Sequence, residues 1–340
     1  MAKGIMYVDN IRVEFDDEPT IMDVCRKAGV EMPNFCFHSD LSVYGACRMC
    51  MVEDLDTGKI DAACTTKPKN GMRIRTNTSR LLKYRRMTLE LMLASHCRDC
   101  TACEKNRSCR LQEMAVRFGI HHVHFKDTRE HVPMDFSSPA VTFDLNKCIL
   151  CGDCVRVCKE VQGMSILHFA GRGPGLHIEA GDDQPISTTH CVSCGQCAAV
   201  CTTGAITVKN DIGAAWRALH DPQKRVVIQI APAVRVAIGE AYGLPAGENV
   251  LDKLVTALKI MGADEIYDTI FGADLTVREE SKEFLRRLET GENLPLMTSC
   301  CPSWVRYVEQ ERPQFIKNLS SALSPMQMFA TVLKLSLIHI

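Results

Sequence analysis

A chain of 340 residues that is 46% hydrophobic has the length for two to four compact units, and its apolar content excludes a disordered protein. Forty basic and 41 acidic side chains, well mixed, leave a formal charge of -1, which excludes a field that gathers nucleic acid or an anionic membrane surface. Nineteen cysteines without an apolar secretory leader exclude a disulfide framework and point to thiolates held for metal in a reducing cytoplasm.

The opening stretch, IMYVDNIRVEF, alternates apolar and polar residues around Asp9-Asn10 and predicts a hairpin, with a short helix over 21–27 packed on it. From Pro33 to Cys64 the sequence carries cysteines but little periodicity and reads as loop. A strand near Met72 to Arg75 completes a small α+β module. Thr78 or Ser79 caps a helix through LLKYRRMTLELMLA, whose apolar residues recur at three and four, and a second helix is expected near Arg110 to Arg117. Residues 140–208 contain two similar cysteine runs, an internal duplication. After Arg225 the pattern becomes VVIQIA as a buried strand, helices at 233–241 and 250–261, a strand at 265–267, a helix at 277–289 and a strand at 296–298. That alternation predicts α/β structure with a parallel sheet, and puts Cys300 and Cys301 at the carboxyl end of a strand. No stretch approaches the roughly 18 uninterrupted apolar residues of a membrane span.

Four cysteine sets carry the chemistry. Cys148, Cys151, Cys154 and Cys158, and again Cys191, Cys194, Cys197 and Cys201, follow C-x2-C-x2-C-x3-C. In this spacing three thiolates reach one cubane and the fourth goes to the other cluster, which pairs Cys201 with the first trio and Cys158 with the second. Structural zinc usually splits its ligands into two separated pairs and rarely packs four so densely. The customary proline after the last cysteine is replaced by Lys159 and Thr202. Cys36, Cys47, Cys50 and Cys64 form C-x10-C-x2-C-x13-C, a stretched 2Fe-2S pattern for which a zinc knuckle is the alternative. Gly45 and Gly71 mark tight turns beside it. His96, Cys100, Cys103 and Cys109 offer an imidazole and three thiolates for a 4Fe-4S cluster, with Cys97 as a substitute fourth ligand. An imidazole there removes one negative charge and raises the potential. GRGPG near Gly171 neither follows a clear strand nor opens a helix, so it reads as a turn and not a dinucleotide site. His121, His122 and His124 read as a solvated loop.

This order of sites resembles the amino-terminal half of large redox subunits: respiratory NADH dehydrogenase, nickel-hydrogenase diaphorases, NAD-linked formate dehydrogenases and iron-only hydrogenases. IAPAVRVAIGEAYG at 230–243 and TSCCPSW at 298–304 resemble the catalytic domain of the last family, most nearly its multimeric NAD(P)-linked subunits. The resemblance implies a 2Fe-2S ferredoxin-like β-grasp domain at 1–78, a small helical His-Cys domain at 79–118, a two-cluster ferredoxin domain at 139–209 and a partial α/β catalytic domain at 222–340. It also implies that Cys301 holds the cubane of a six-iron catalytic cluster and that Cys300 passes protons to the diiron site. Glu280, Glu283 and Ser320 would continue the proton path, and Ala231 and Pro232 would line the diiron pocket. Without the resemblance, Glu280 and Glu283 read as surface charges, one turn apart on a helix.

The implied function is reversible hydrogen oxidation, with electrons leaving through four accessory clusters, one 2Fe-2S and three 4Fe-4S. The acceptor would be a ferredoxin or a flavin- and NAD(P)-binding partner subunit in a cytoplasmic hetero-oligomer, without nucleic acid or membrane. The alternative is an electron-transfer subunit of diaphorase or formate dehydrogenase type; TSCCPSW argues against it. The family places three further cluster ligands in later motifs, whereas no cysteine follows Cys301 here. FATVLKLSLIHI shows no stop signal and its last six residues are unlike the family continuation, so a truncated chain is expected. One thiolate cannot fix a cubane that takes four, and turnover by these residues alone is not expected. A regulatory relative with altered catalysis remains open.

Overall fold

Strands β1 (Gly4–Val8) and β2 (Ile11–Phe15) pair antiparallel because Asp9 and Asn10 take left-handed φ values of 50° and 73°, a two-residue turn whose twist matches the strands. Met6, Val8, Val13 and Phe15 then fall on one face and are buried. In the computed structural model, which describes residues 4–127, 129, 131–182 and 184–337, this hairpin begins the first of two units, Met1–Lys209 and Asn210–Ile340.

Helix α1 (Ile21–Lys27) is capped by Thr20, whose Oγ1 accepts from the Asp23 N–H, and it buries Ile21, Met22 and Val24 against the hairpin. The expected loop from Pro33 to Cys64 contains two strands, β3 (Met51–Asp54) and β4 (Ile60–Ala62). Runs of four and three residues are too short for an alternation of period two to register in sequence. With β5 (Arg73–Arg75) they complete a five-stranded sheet of order β2-β1-β5-β3-β4, in which β1 and β5 run parallel.

Helix α2 (Ser79–Ala94) starts at Thr78, whose Oγ1 accepts from the Leu81 N–H at 3.2 Å, and α3 (Arg110–Arg117) follows. A second buried cluster joins Phe35 and Met49 of the first cysteine loop to Leu89 of α2, Leu111 and Met114 of α3, and Ile149 of the next cysteine run. These shared apolar contacts explain why the first three cysteine-bearing segments pack as one unit. Beyond them, β6 (Val141–Phe143) pairs antiparallel with β9 (Ile206–Val208). Between these two strands lie α4 (Asp153–Arg156), the hairpin β7 (Leu167–Ala170) and β8 (His177–Ala180), and α5 (Gln196–Ala199). GRGPG does follow a strand, contrary to expectation, but it closes the β7–β8 hairpin as a single turn at Gly173–Gly175 and opens no α-helix.

In the second unit α6 (Ile212–Leu219) precedes β10 (Val227–Ile230), and α7 (Val234–Ala241) and α8 (Leu251–Ile260) cross over to the parallel strand β11 (Glu265–Asp268). Helix α9 (Ile270–Thr290) begins seven residues before the expected start. Gly272 obscures that beginning in sequence, yet it is required: a Cβ there would lie 2.1 Å from the Pro325 carbonyl oxygen at the start of α11 (Pro325–Leu337). The strand expected at 296–298 is a correction. Met297 makes one isolated parallel bridge to Leu319, so Cys300 and Cys301 follow a bridge, at the start of α10 (Pro302–Glu311), and not the end of a strand. Among the described residues no helix is long and apolar enough to cross a membrane.

Candidate metal centres and a buried carboxylate network

The cysteine loop at 36–64 turns tightly at Gly45, with φ 72°, and at Arg48, with φ 54°. A Cβ on Gly45 would also stand 2.7 Å from the Thr65 methyl. The turns leave four buried sulfurs that interact as two pairs, Cys36 with Cys47 and Cys50 with Cys64. The Cys47 N–H donates to Cys36 Sγ at 3.4 Å and the Phe35 N–H donates to Cys47 Sγ at 3.4 Å. The bond from Cys36 holds the Cys47 thiol below its ordinary range, and the bond from Cys64 does the same for Cys50. Arg85 of α2, buried, supports the loop by donating from Nε to the Met49 carbonyl at 3.0 Å and from an NH2 group to the Met51 carbonyl at 2.7 Å. Burial pushes this guanidinium down to about 10. Sequence reasoning missed Arg85, although its spacing of four from Leu81 and Leu89 places it on the inward face of α2.

The two later runs share one backbone design. Leu150 and Gly152 in the first, and Ser193 and Gly195 in the second, take φ values of 57°, 77°, 59° and 76°. This turns the Leu150 and Ser193 N–H groups onto Cys148 and Cys191 Sγ, at 3.4 Å in each case. Cys201 stands within electrostatic reach of Cys148, Cys151 and Cys154, which share with it the lining of one small cavity. Cys158 likewise acts on Cys197, together with Cys191 and Cys194. Burial pushes the Cys151 and Cys197 thiols up to about 12. Cys154 is buried and the other seven thiols are half-buried; packed this closely they cannot all ionise unless a cation neutralises them, so the donor set suits a polynuclear metal cluster.

His96 and the cysteines after it are the third set of candidate donors. Its Nδ1 is buried with no partner among the described residues, while the ring also interacts with the Lys147 backbone. Burial holds this imidazole below its ordinary pKa, in the neutral form a metal takes. Cys109, Cys103 and Cys97 all act on Cys100. Cys97 Sγ lies 3.3 Å from Asp99 Oδ2. The orphaned imidazole nitrogen, and separately the mutually interacting thiols of Cys97, Cys100, Cys103 and Cys109, are donor groups of the kind a metal takes. The loop is fastened to the two-run segment by backbone bonds from Cys97 N to Asn146 O at 3.0 Å and from Arg110 N to Thr202 O at 3.2 Å. Cys25, by contrast, is a core thiol, with its pKa pushed up to about 12 by burial, and accounts for part of the surplus over complete four-ligand sets.

In the second unit the structure brings Glu283 and Ser320 together. The Glu283 carboxylate accepts from Ser320 Oγ at 3.1 Å, Ser321 N at 3.0 Å, Ser321 Oγ at 3.1 Å and Arg287 at 2.5 Å. Burial raises the Glu283 pKa, but these donors outweigh it and hold the carboxyl below its ordinary range. Arg287, also missed from sequence, is buried and bonds the Asn293, Asn318 and Leu319 carbonyls, tying α9 to the Ser320 segment. Glu280, one turn earlier, is half-buried, and its Oε1 is buried with no partner among the described residues. Cys300, Cys301, Ala231 and Pro232 are exposed, and Cys300 has no hydrogen-bond partner among the described residues.

Two other histidine groups are self-paired. His168 and His177 bond the two oxygens of Glu179 at 3.0 and 3.2 Å, with Asp182 near His168 and Glu179. His121, His122 and His124 are exposed, and His124 pairs with Glu90 at 2.8 Å.

Taken together, these sulfur constellations define a multi-cluster iron-sulfur redox protein. Family models match in sequence order: a 2Fe-2S iron-sulfur cluster binding domain at 5–79, the NADH-ubiquinone oxidoreductase-G iron-sulfur binding region at 85–124, a 4Fe-4S dicluster domain at 140–202, and the iron only hydrogenase large subunit, C-terminal domain, at 224–338. The last of these matches places residues 224–338 with the iron-only hydrogenases. It is 36% identical to the NADP-reducing hydrogenase subunit HndD of Solidesulfovibrio fructosivorans over 98% of its own length and 59% of that protein's. To iron hydrogenase 1 of Clostridium pasteurianum it is 33% identical, over 97% and 58% of the two lengths. The chain thus spans somewhat over half of these relatives. Among solved structures, a chain of an NAD+-reducing [NiFe]-hydrogenase in the H2-reduced state matches with a TM-score of 0.57 and 30% identity, over 61% of this chain and 88% of that one.

Proposed function

We propose that these residues form the electron-relay portion and the first part of the catalytic domain of an iron-only hydrogenase, working in a cytoplasmic hetero-oligomer. Its partners would be flavin- and NAD(P)-binding iron-sulfur subunits, or a ferredoxin. The observation that carries the relay is the exchange of fourth sulfurs, Cys201 beside the first trio and Cys158 beside the second. On this reading the first domain is a β-grasp whose Cys36, Cys47, Cys50 and Cys64 hold a 2Fe-2S cluster. His96, Cys100, Cys103 and Cys109 hold one 4Fe-4S cluster, and the eight cysteines from Cys148 to Cys201 hold two more. When bound, such clusters take and release single electrons. The chain supplies the sulfurs, buried in the Cys36–Cys64 set, mostly half-buried in the others and exposed at Cys100, together with N–H groups aimed at several of them, and these surroundings set each potential.

For hydrogen chemistry these residues offer Cys301 as one cubane ligand, where a cubane takes four. They do not by themselves satisfy the six-iron group. In the complete protein Cys300 would hold the proton released from hydrogen at its Sγ, and Glu280, Glu283 and Ser320 would move it outward, with Ala231 and Pro232 lining the pocket. The Glu283–Ser320 contact supports this path.

Iron and sulfide analysis of anaerobically reconstituted protein tests the relay: about 14 iron atoms per chain are expected from one 2Fe-2S and three 4Fe-4S clusters. Stoichiometric zinc with little iron would refute it. Hydrogen-dependent dye reduction by the complete polypeptide, lost in Cys300→Ser while the iron content of the relay persists, tests the catalytic part. A complete polypeptide with a full iron complement and no such activity leaves the electron-transfer subunit as the better reading.

A further inference from the structure

Arg156 lies between Cys154 and Cys158, yet its side chain works on a loop 120 residues earlier. It donates to the Cys36 carbonyl at 2.8 Å and to the Ser42 carbonyl, and it pairs with Asp153. Both charged side chains are buried, Arg156 with 9% and Asp153 with 3% exposed. The Tyr44 ring covers the guanidinium at 5.4 Å, and Phe169 stacks on Tyr44 at 6.0 Å, so water is kept from the pair. The Nε of Arg156 is buried with no partner among the described residues, leaving a further donor at the same place.

We propose that Arg156 is the potential-setting and positioning residue of the 2Fe-2S centre, holding the Cys36 loop on the cubane-bearing helix and stabilising the reduced two-iron cluster with its positive charge. This rests on the reading of Cys36, Cys47, Cys50 and Cys64 as a 2Fe-2S site. Reduction adds one negative charge, and a fixed cation bonded to the carbonyl of a ligand residue favours that state more strongly in a dry interior than in water. Asp153 opposes the effect in part, because its carboxylate lies against the same guanidinium. The two residues therefore act on the centre with opposite signs, which a purely structural clamp does not do.

The test is a potentiometric titration of the whole reconstituted chain, following the paramagnetic signal of the reduced two-iron centre. Arg156→Gln should titrate at lower potential than the unaltered protein, Asp153→Asn at higher potential, and Arg156→Lys close to the unaltered protein. Unchanged potentials with the signal intact, or shifts of one sign for Arg156→Gln and Asp153→Asn, overturn the proposal. Should Arg156→Gln lose the centre altogether, Asp153→Asn decides: failure to shift upward overturns it. Absence of any two-iron signal from the unaltered protein refutes the underlying cluster reading instead, and the proposal falls with it.

Discussion

At the scale of single residues, buried arginines do the work that the cysteine pattern cannot. Arg85 donates to two buried carbonyls, and Arg85→Met leaves both without donors. The loss should destabilise the first unit by about 3 kcal/mol, read from urea unfolding of the cluster-loaded protein. Glu283 is the acidic counterpart. Its folded pKa lies below the unfolded value, so its stabilisation is complete above the ordinary carboxylate pKa and disappears as pH falls through the folded value. Glu283→Gln should cost about 2–4 kcal/mol at neutral pH and flatten the loss of stability below about pH 4.3. Both tryptophans, Trp216 and Trp304, lie in the second unit, so their fluorescence reports its unfolding directly. His96 gives a third test: if it ligates a cubane as proposed, His96→Cys adds a negative charge there and should lower the potential of one 4Fe-4S signal and leave the others in place.

At the scale of elements, close approach matters more than propensity. Gly204 follows the Cys201 run, and a Cβ there would lie 2.8 Å from Cys103 Sγ. A ligating sulfur cannot retreat without leaving its metal, so Gly204→Ala should cost the His96 centre, lowering iron by about four atoms per chain. Retention of all iron with unchanged spectra would show that the loop yields instead. The repeated left-handed positions Leu150/Gly152 and Ser193/Gly195 show how an internal duplication is visible at the element level. Each run makes the same turn, presents an N–H group to its first sulfur and starts a one-turn helix that carries the third.

At the scale of the whole molecule, the sixteen proposed accessory-cluster ligands fall in one unit, and Cys300, Cys301, Glu280, Glu283 and Ser320 fall in the other. The iron content of these 340 residues should therefore remain near 14 atoms per chain in Cys301→Ala, because that thiolate belongs to none of the accessory sets. A drop to near ten atoms would mean that Cys301 completes a relay cluster.

Short-range features were legible in the amino-acid sequence by itself. The Asp9-Asn10 hairpin, the Thr78 cap, the helix at 110–117 and the cysteine spacings depend on neighbours within a few residues, and local chemistry determines such features wherever the chain runs. Strands β3 and β4, too short to show a period, took shape only through pairing, and the strand expected before Cys300 shrank to a single bridge because it found only Leu319 beside it. Tertiary structure alone decided which charges are buried. Arg85, Arg156 and Arg287 look like any surface arginine until distant carbonyls close around them. Burial then removes the water that would otherwise screen their charge, so their effect on sulfur and carboxylate depends on the fold and not on composition.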